Sequence, residues 1–152
     1  MAQVTLETVS SMLLAAVRRS VRIGEVGAAF GEALGVVWPF LRSQPGLHEG
    51  GHNVFLYHHP ERRGLPMAVD FGVQVTRPFE EAGEVRAVLT PAGSAAVAVH
   101  RGPYGRTIET HDAIHAWARA NSRRFVGQSW EVYGDWQDDE TKLETTIFYL
   151  VD

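Results

Sequence analysis

At 152 residues the chain fits one domain, and with 45% hydrophobic and 21% charged residues it is globular, not disordered. It is long enough to bury a core without staples, and the absence of cysteine excludes disulfides, thiolate zinc sites and cysteine nucleophiles. A formal net charge of −4 argues against general nucleic-acid affinity. The N-terminus has no basic stretch leading into an apolar run, so no secretory signal is expected. The apolar run Met12–Val17 is far too short to span a membrane. These features point to a cytoplasmic protein without a direct nucleic-acid or membrane partner.

In chain order, Leu13–Val17 reads as a strand, followed by Arg18 and Arg19. A helix is expected from Ile23 to Leu41, with Ala28, Phe30, Leu34, Val37, Trp38 and Leu41 at helical spacing. Asn53–Tyr57 and Ala68–Val75 read as strands, separated by an irregular segment, His58–Pro66, rich in Pro and Gly. Arg77–Glu84 forms a joint, and Val85–Leu89 is a further strand. Ala95–His100 is the next strand, turned by Arg101-Gly102-Pro103 into a helix over Ile108–Ala120, whose stripe is Ile108, Ala113, Ile114 and Trp117. Strands at Ser129–Tyr133 and Thr145–Val151 complete the chain. The order suggests two copies of a β-α-β-β unit, about 10–79 and 84–152, within one α+β domain. An exposed edge strand in each makes a homodimer or protein partner conceivable.

Side chains alternate along a strand, so Glu131 and Tyr133 share a face while Trp130 points the other way and should pack under its unit's helix. A carboxylate beside a phenol in an aromatic-rich domain suits a pocket for an organic, often cationic, molecule. Without a ligand, Glu131 would be an exposed or Arg-paired strand residue. Tyr57 and Tyr133 are candidate pocket walls. Phe55 occupies the first unit's equivalent of Glu131 and would face it across a cleft. His100, Tyr104 and Phe148 are further candidates, and Trp136, in the polar loop 134–142, could close as a lid. Trp38 and Trp117 lie on helix stripes and read as core. His111 and His115 have i,i+4 metal-ligand spacing, but the accompanying acid of a zinc-protease motif is missing, so helix surface is expected and no metal or cofactor. Neither a nucleophile elbow nor a phosphate loop is present.

His100-Arg101-Gly102-Pro103-Tyr104, Trp117, Glu131-x-Tyr133 and the strand Thr145–Val151, with Val54–Tyr57, Pro60 and Asp70-x-Gly72-Val73 in the first half, make the chain resemble the GyrI-like small-molecule-binding domains. That family includes gyrase-inhibitory proteins and the effector-binding domains of multidrug-responsive regulators. The resemblance spans about Leu13 to Val151. It implies a duplicated β-α-β-β unit with pseudo-twofold symmetry, an antiparallel sheet with helices on one side, and a ligand cleft between the units. The family's pocket acid falls on Glu131 and its neighbouring Tyr on Tyr133. Many members carry a second acid after the Thr of the last strand, where this chain has Thr146, so a less acidic pocket is expected. No winged-helix segment precedes the domain, which reads as a stand-alone version.

The leading expectation is binding of hydrophobic or cationic organic molecules, for sensing, sequestration or drug resistance. A second is hydrolysis of cyclopropane-type electrophiles, which the resemblance allows, with Glu131 as base and Tyr133 polarising the substrate. A third is an interaction module such as a topoisomerase inhibitor, through Glu80-Glu81 and Asp138-Asp139-Glu140, which read more simply as solvated loops.

Overall fold

The computed structural model describes residues 2–22, 24–62 and 64–152. Its elements are β1 (Thr5–Val9), β2 (Leu13–Val21), α1 (Val26–Arg42), β3 (Asn53–His58), β4 (Met67–Gln74), β5 (Arg86–Leu89), β6 (Gly93–Arg101), α2 (Thr107–Ala120), β7 (Phe125–Tyr133) and β8 (Glu144–Val151). Ile23, the expected start of the first helix, lies outside the described residues, as does Arg63 within the irregular segment 58–66. The strands form one antiparallel sheet in the order β1-β6-β8-β7-β3-β4-β2-β5. The order is palindromic: β7-β8-β6 on one side of the centre corresponds to β3-β4-β2 on the other. The match is one of topology and does not by itself make the two halves copies. Among the described residues no helix is long and apolar enough to cross a membrane.

Two features of the sheet edges are absent from the sequence reading. β1 has no counterpart in the sequence reading: Thr5-Leu6-Glu7-Thr8-Val9 is short and largely exposed, and forms by pairing with β6. The outer strands are also exchanged. β1 leads into β2 yet pairs with β6, while β5 leads into β6 yet pairs with β2.

That exchange forces the sheet to curl. β1 and β2 stand six places apart in the order but are joined by only three residues, 10–12; β5 and β6 are likewise six apart and joined by 90–92. A flat sheet would hold each pair about 29 Å apart, whereas the connection reaches about 15 Å at most. The sheet therefore bends until these ends meet. There Thr90 Oγ1 accepts from the Met12 backbone N–H at 2.8 Å, and the Thr90 N–H donates to Met12 O at 3.0 Å.

The inside of the curl is an apolar core of Leu14, Ala16, Val54, Leu56, Ala95, Val97 and Trp130. Trp130 stacks on Phe148, with centroids 5.0 Å apart and planes 4° from parallel. Trp130 thus packs in the curl, not under a helix. On this same face Asp70 is buried, and takes a bidentate contact from Arg18 (2.8 and 3.0 Å) and a 2.7 Å contact from His58.

Both helices pack on the outer face. α1 buries Ala33, Leu34, Val37 and Leu41 against β2 and β4, with Val17, Phe71 and Val73 in the same cluster. Pro39 falls near its end on an exposed face, where the chain tolerates the loss of one backbone donor. α2 buries Thr110, Ile114 and Ala118 over β6 and β8. The expected α2 stripe is rotated, because Ile108 is exposed and the polar Thr110 is buried. Thr110 faces inward because it meets a buried partner, His100.

Candidate functional site

Two helices cannot cover eight strands. α1 sits over β2 and β4, and α2 over β6 and β8, so the central pair β3–β7 lies in the gap between them. A cavity of about 720 Å³ occupies that gap. Its floor is Phe55 and Tyr57 of β3 with Glu131 and Tyr133 of β7. Phe30 and Leu34 of α1 form one wall, Tyr104 the other, and Trp136 stands at the mouth.

The strand register places the key side chains. Phe55 pairs with Glu131, and Tyr57 with Ser129. Phe55 is therefore Glu131's neighbour on an adjacent strand, not a partner across a cleft. The cleft is a groove above an unbroken sheet. A bulge in β7 between Phe125 and Ser129 includes Gly127, whose φ of 94° suits glycine. Gly51 on the cavity wall lies so close to β4 that a Cβ there would sit 2.3 Å from Gln74 O.

Glu131 is only 5% exposed although it faces the cavity. Its Oε1 accepts hydrogen bonds from the hydroxyls of Tyr57 and, at 2.7 Å, Tyr133; its Oε2 contacts His111 Nε2 at 2.8 Å. The alternatives of exposure or an Arg partner do not hold for it. Burial pushes the carboxyl pKa up, but the hydrogen bonds from His111, Tyr57 and Tyr133 pull harder, and it settles below the ordinary glutamate value. Burial and the Glu131 charge push both tyrosines well up, so they remain protonated donors. The result is a fixed negative charge on the floor of an aromatic cavity.

His111 is the site residue missing from the sequence reading, which placed it on the helix surface because the acid of a zinc-protease motif is absent. It reaches down from α2, and its Nδ1 contacts the Tyr149 hydroxyl at 2.7 Å. Tyr149 packs against His59, His115 and Phe125. Burial lowers the pKa of His59 and of His115, with further lowering from neighbouring histidines. No metal cluster forms among the described residues. The available signal was a His one helical turn before the buried Ile114, on a face that must meet the sheet.

Six of the eight candidate ligand residues line this one cavity: Glu131, Tyr133, Tyr57, Phe55, Tyr104 and Trp136. Tyr104 meets Tyr133 edge-on at 5.4 Å, and Phe55 packs 4.9 Å from Tyr133. Trp136 is 68% exposed and its indole N–H donates to Asp138 at 3.3 Å. The other two are elsewhere. Phe148 lies inside the curl, on the opposite face from Glu131, because it pairs with Trp130. His100 is buried and tied to Thr110 Oγ1 (2.9 Å) and Pro103 O (3.0 Å), which fastens the turn to α2. It borders a separate cavity of about 630 Å³ beside β1. Trp38 and Trp117 pack against the cores under their helices.

Fold and cavity together define an α+β domain built around a ligand-sized groove. The model of the GyrI-like small molecule binding domain matches residues 2–151, and the chain belongs to that family. No curated protein matches the sequence. Among solved structures, the EcmrR C-terminal domain superposes with a TM-score of 0.81 at 20% identity, covering 100% of this chain and 98% of that one. In the EcmrR–DNA complex within EcmrR-RPo, the likeness has a TM-score of 0.83 at 20% identity and covers 99% of this chain but 57% of EcmrR. SAV2435 bound to tetraphenylphosphonium matches with a TM-score of 0.67 at 12% identity, over 99% and 94% of the two chains. A hydrolase from Listeria innocua has the same TM-score and identity, over 99% and 92%. At these identities the likeness is one of fold.

Proposed function

We propose that the chain binds an aromatic or amphipathic organic molecule, cationic ligands included, in the cavity over β3 and β7, and serves to sense or sequester it inside the cell. The observation that carries this reading is Glu131: a buried carboxylate held ionised on the floor of an aromatic-walled cavity of about 720 Å³. That volume is the size of a drug-like ligand site. A cation over Tyr133, Tyr104 or Phe55 gains about 0.5–2 kcal/mol per good contact, and more when water is excluded. Tetraphenylphosphonium in SAV2435 supports the same ligand chemistry on the same fold.

Glu131 fits an anchor better than a general base. Its two oxygens already take three contacts, and a carboxyl below its ordinary pKa is a weak base near neutral pH. The acidic tracts Glu80-Glu81 and Asp138-Asp139-Glu140 are exposed, and Glu81 and Asp139 accept hydrogen bonds from their own neighbourhood, Ala87 N–H and Thr141, as solvated loops do.

The test is a thermal-shift screen of organic cations, neutral aromatics and electrophiles, against the wild type and Glu131→Gln. Saturating ligand stabilises by mass action, so hits raise Tm by several degrees and the variant loses the shift for cations. Equal shifts in both proteins refute the anchoring role of Glu131.

A further inference from the structure

Glu131 has three contacts, of which two come from phenols that stay neutral. The third, His111, can carry a charge, and it sits 2.8 Å from the carboxylate on the cavity floor. Histidine is the side chain whose charge changes between about pH 5 and 8.

The surroundings of His111 accommodate both of its forms. Nε2–H donates to Glu131 Oε2 whether the ring is neutral or protonated. Nδ1 faces the Tyr149 hydroxyl, which donates to a neutral ring and accepts from a protonated one. Protonating His111 therefore breaks no buried hydrogen bond.

It does change what a ligand meets. With His111 neutral, the cavity floor carries an uncancelled negative charge. With His111 protonated, that charge is cancelled from inside the protein.

We propose that His111 is a specificity-determining residue, which decides whether this cavity favours cationic or neutral ligands. The neutral imidazole leaves the charge of Glu131 uncompensated for a cation in the cavity; the imidazolium compensates it from inside and leaves a site for neutral aromatic molecules. Binding of a cation then expels a proton from His111, and cation affinity rises with pH. The inference rests on the reading that ligands bind at Glu131.

The groups facing this pair are few. From β3 and the segment after it come Tyr57 and His59; from β7, Tyr133; from β8, Tyr149; from α2 itself, Asp112 and His115. Tyr104 packs beyond Tyr133. At the mouth, Asp135 lies 3.8 Å from His52, a second imidazole on the cavity lining. Glu131 stays ionised throughout the window, since its pKa lies below the ordinary glutamate value. His59 and His115 are held back by burial, so they charge at lower pH.

Tetraphenylphosphonium is the probe, because its charge is permanent and any pH dependence belongs to the protein. Its Kd is measured calorimetrically from pH 5.5 to 8 for the wild type, His111→Gln, His52→Gln and Glu131→Gln, with triphenylphosphine oxide as the neutral comparator. The wild type and His52→Gln should bind the cation about tenfold more tightly at the upper end. The binding heat near the midpoint should vary with the ionisation enthalpy of the buffer, which reports proton release. His111→Gln keeps an N–H for Glu131 but cannot titrate, so it should bind tightly with a flat profile. The neutral comparator should not weaken as pH falls.

A flat wild-type profile, or a wild-type slope retained in His111→Gln, overturns the proposal while leaving Glu131 as anchor. Absence of cation binding at every pH refutes the ligand reading and this inference with it. Should His111→Gln fail to fold, NMR titration of the wild-type His111 ring decides: its midpoint must fall when the cation binds, and an unmoved midpoint overturns the proposal.

Discussion

A buried carboxylate is tolerable only where its lone pairs are met, and among the described residues two are buried, by different means. Glu131 is satisfied by two phenols and an imidazole, which leave its charge available to a ligand. Asp70 is satisfied by Arg18 and His58, and Arg18 cancels its charge. The first is built as a site and the second as a structural lock. Asp70 shows this in its titration. Burial pushes its carboxyl up, but the contacts from His58 and Arg18 bring it down to about 2. A depressed carboxyl stabilises the fold above its unfolded pKa of about 3.9, and that contribution is lost as pH falls through the folded value. The difference corresponds to about 2 kcal/mol. Urea denaturation at a series of pH values should show the wild type losing that much more stability between pH 5 and 2 than Asp70→Asn. Parallel curves would mean that the ion pair contributes nothing specific.

At the level of elements, the site depends on α2 more than its composition suggests. The helix holds to the sheet through Ile114, its large fully buried aliphatic side chain, flanked by Thr110 and Ala118. One turn before Ile114, His111 descends to Glu131. Ile114→Ala should cost about 3 kcal/mol through the cavity it leaves, and should also loosen His111. Hydrogen exchange would then rise along α2 while α1 keeps its protection; uniform acceleration of both helices would show that α2 is not a separately docked unit. The extents of the two helices were legible because 3.6-residue periodicity is a local property. The rotation of the α2 stripe was not, since hydropathy cannot rank a threonine or histidine that finds a buried partner above an exposed isoleucine. β1 was missed for a related reason: a short, polar edge strand exists by virtue of its partner, β6.

For the whole molecule, exchange of the outer strands draws the sheet into a curl, and the curl creates two kinds of interior. The concave side is sealed by Trp130, Phe148 and their neighbours. The convex side bears both helices and leaves the groove between them. The ends of the curl meet at Met12 and Thr90. Thr90 is buried, and Thr90→Val preserves its shape while leaving the Met12 N–H unsatisfied. The expected cost is about 1–3 kcal/mol, read by chemical denaturation, with faster amide exchange in β1 and β5. A variant as stable as the wild type would show that the short connections alone hold the curl.

Strand alternation in the sequence determined that Glu131 and Tyr133 share one face and Trp130 the other, and helical periodicity located α1 and α2, because both patterns are set by neighbours along the chain. Only the tertiary structure decided which face the helices cover, that Phe55 lies beside Glu131, that Phe148 is sealed in the curl, and that His111 completes the carboxylate. Those outcomes follow from strand order and curvature, which bring together residues tens of positions apart and leave no period in the sequence.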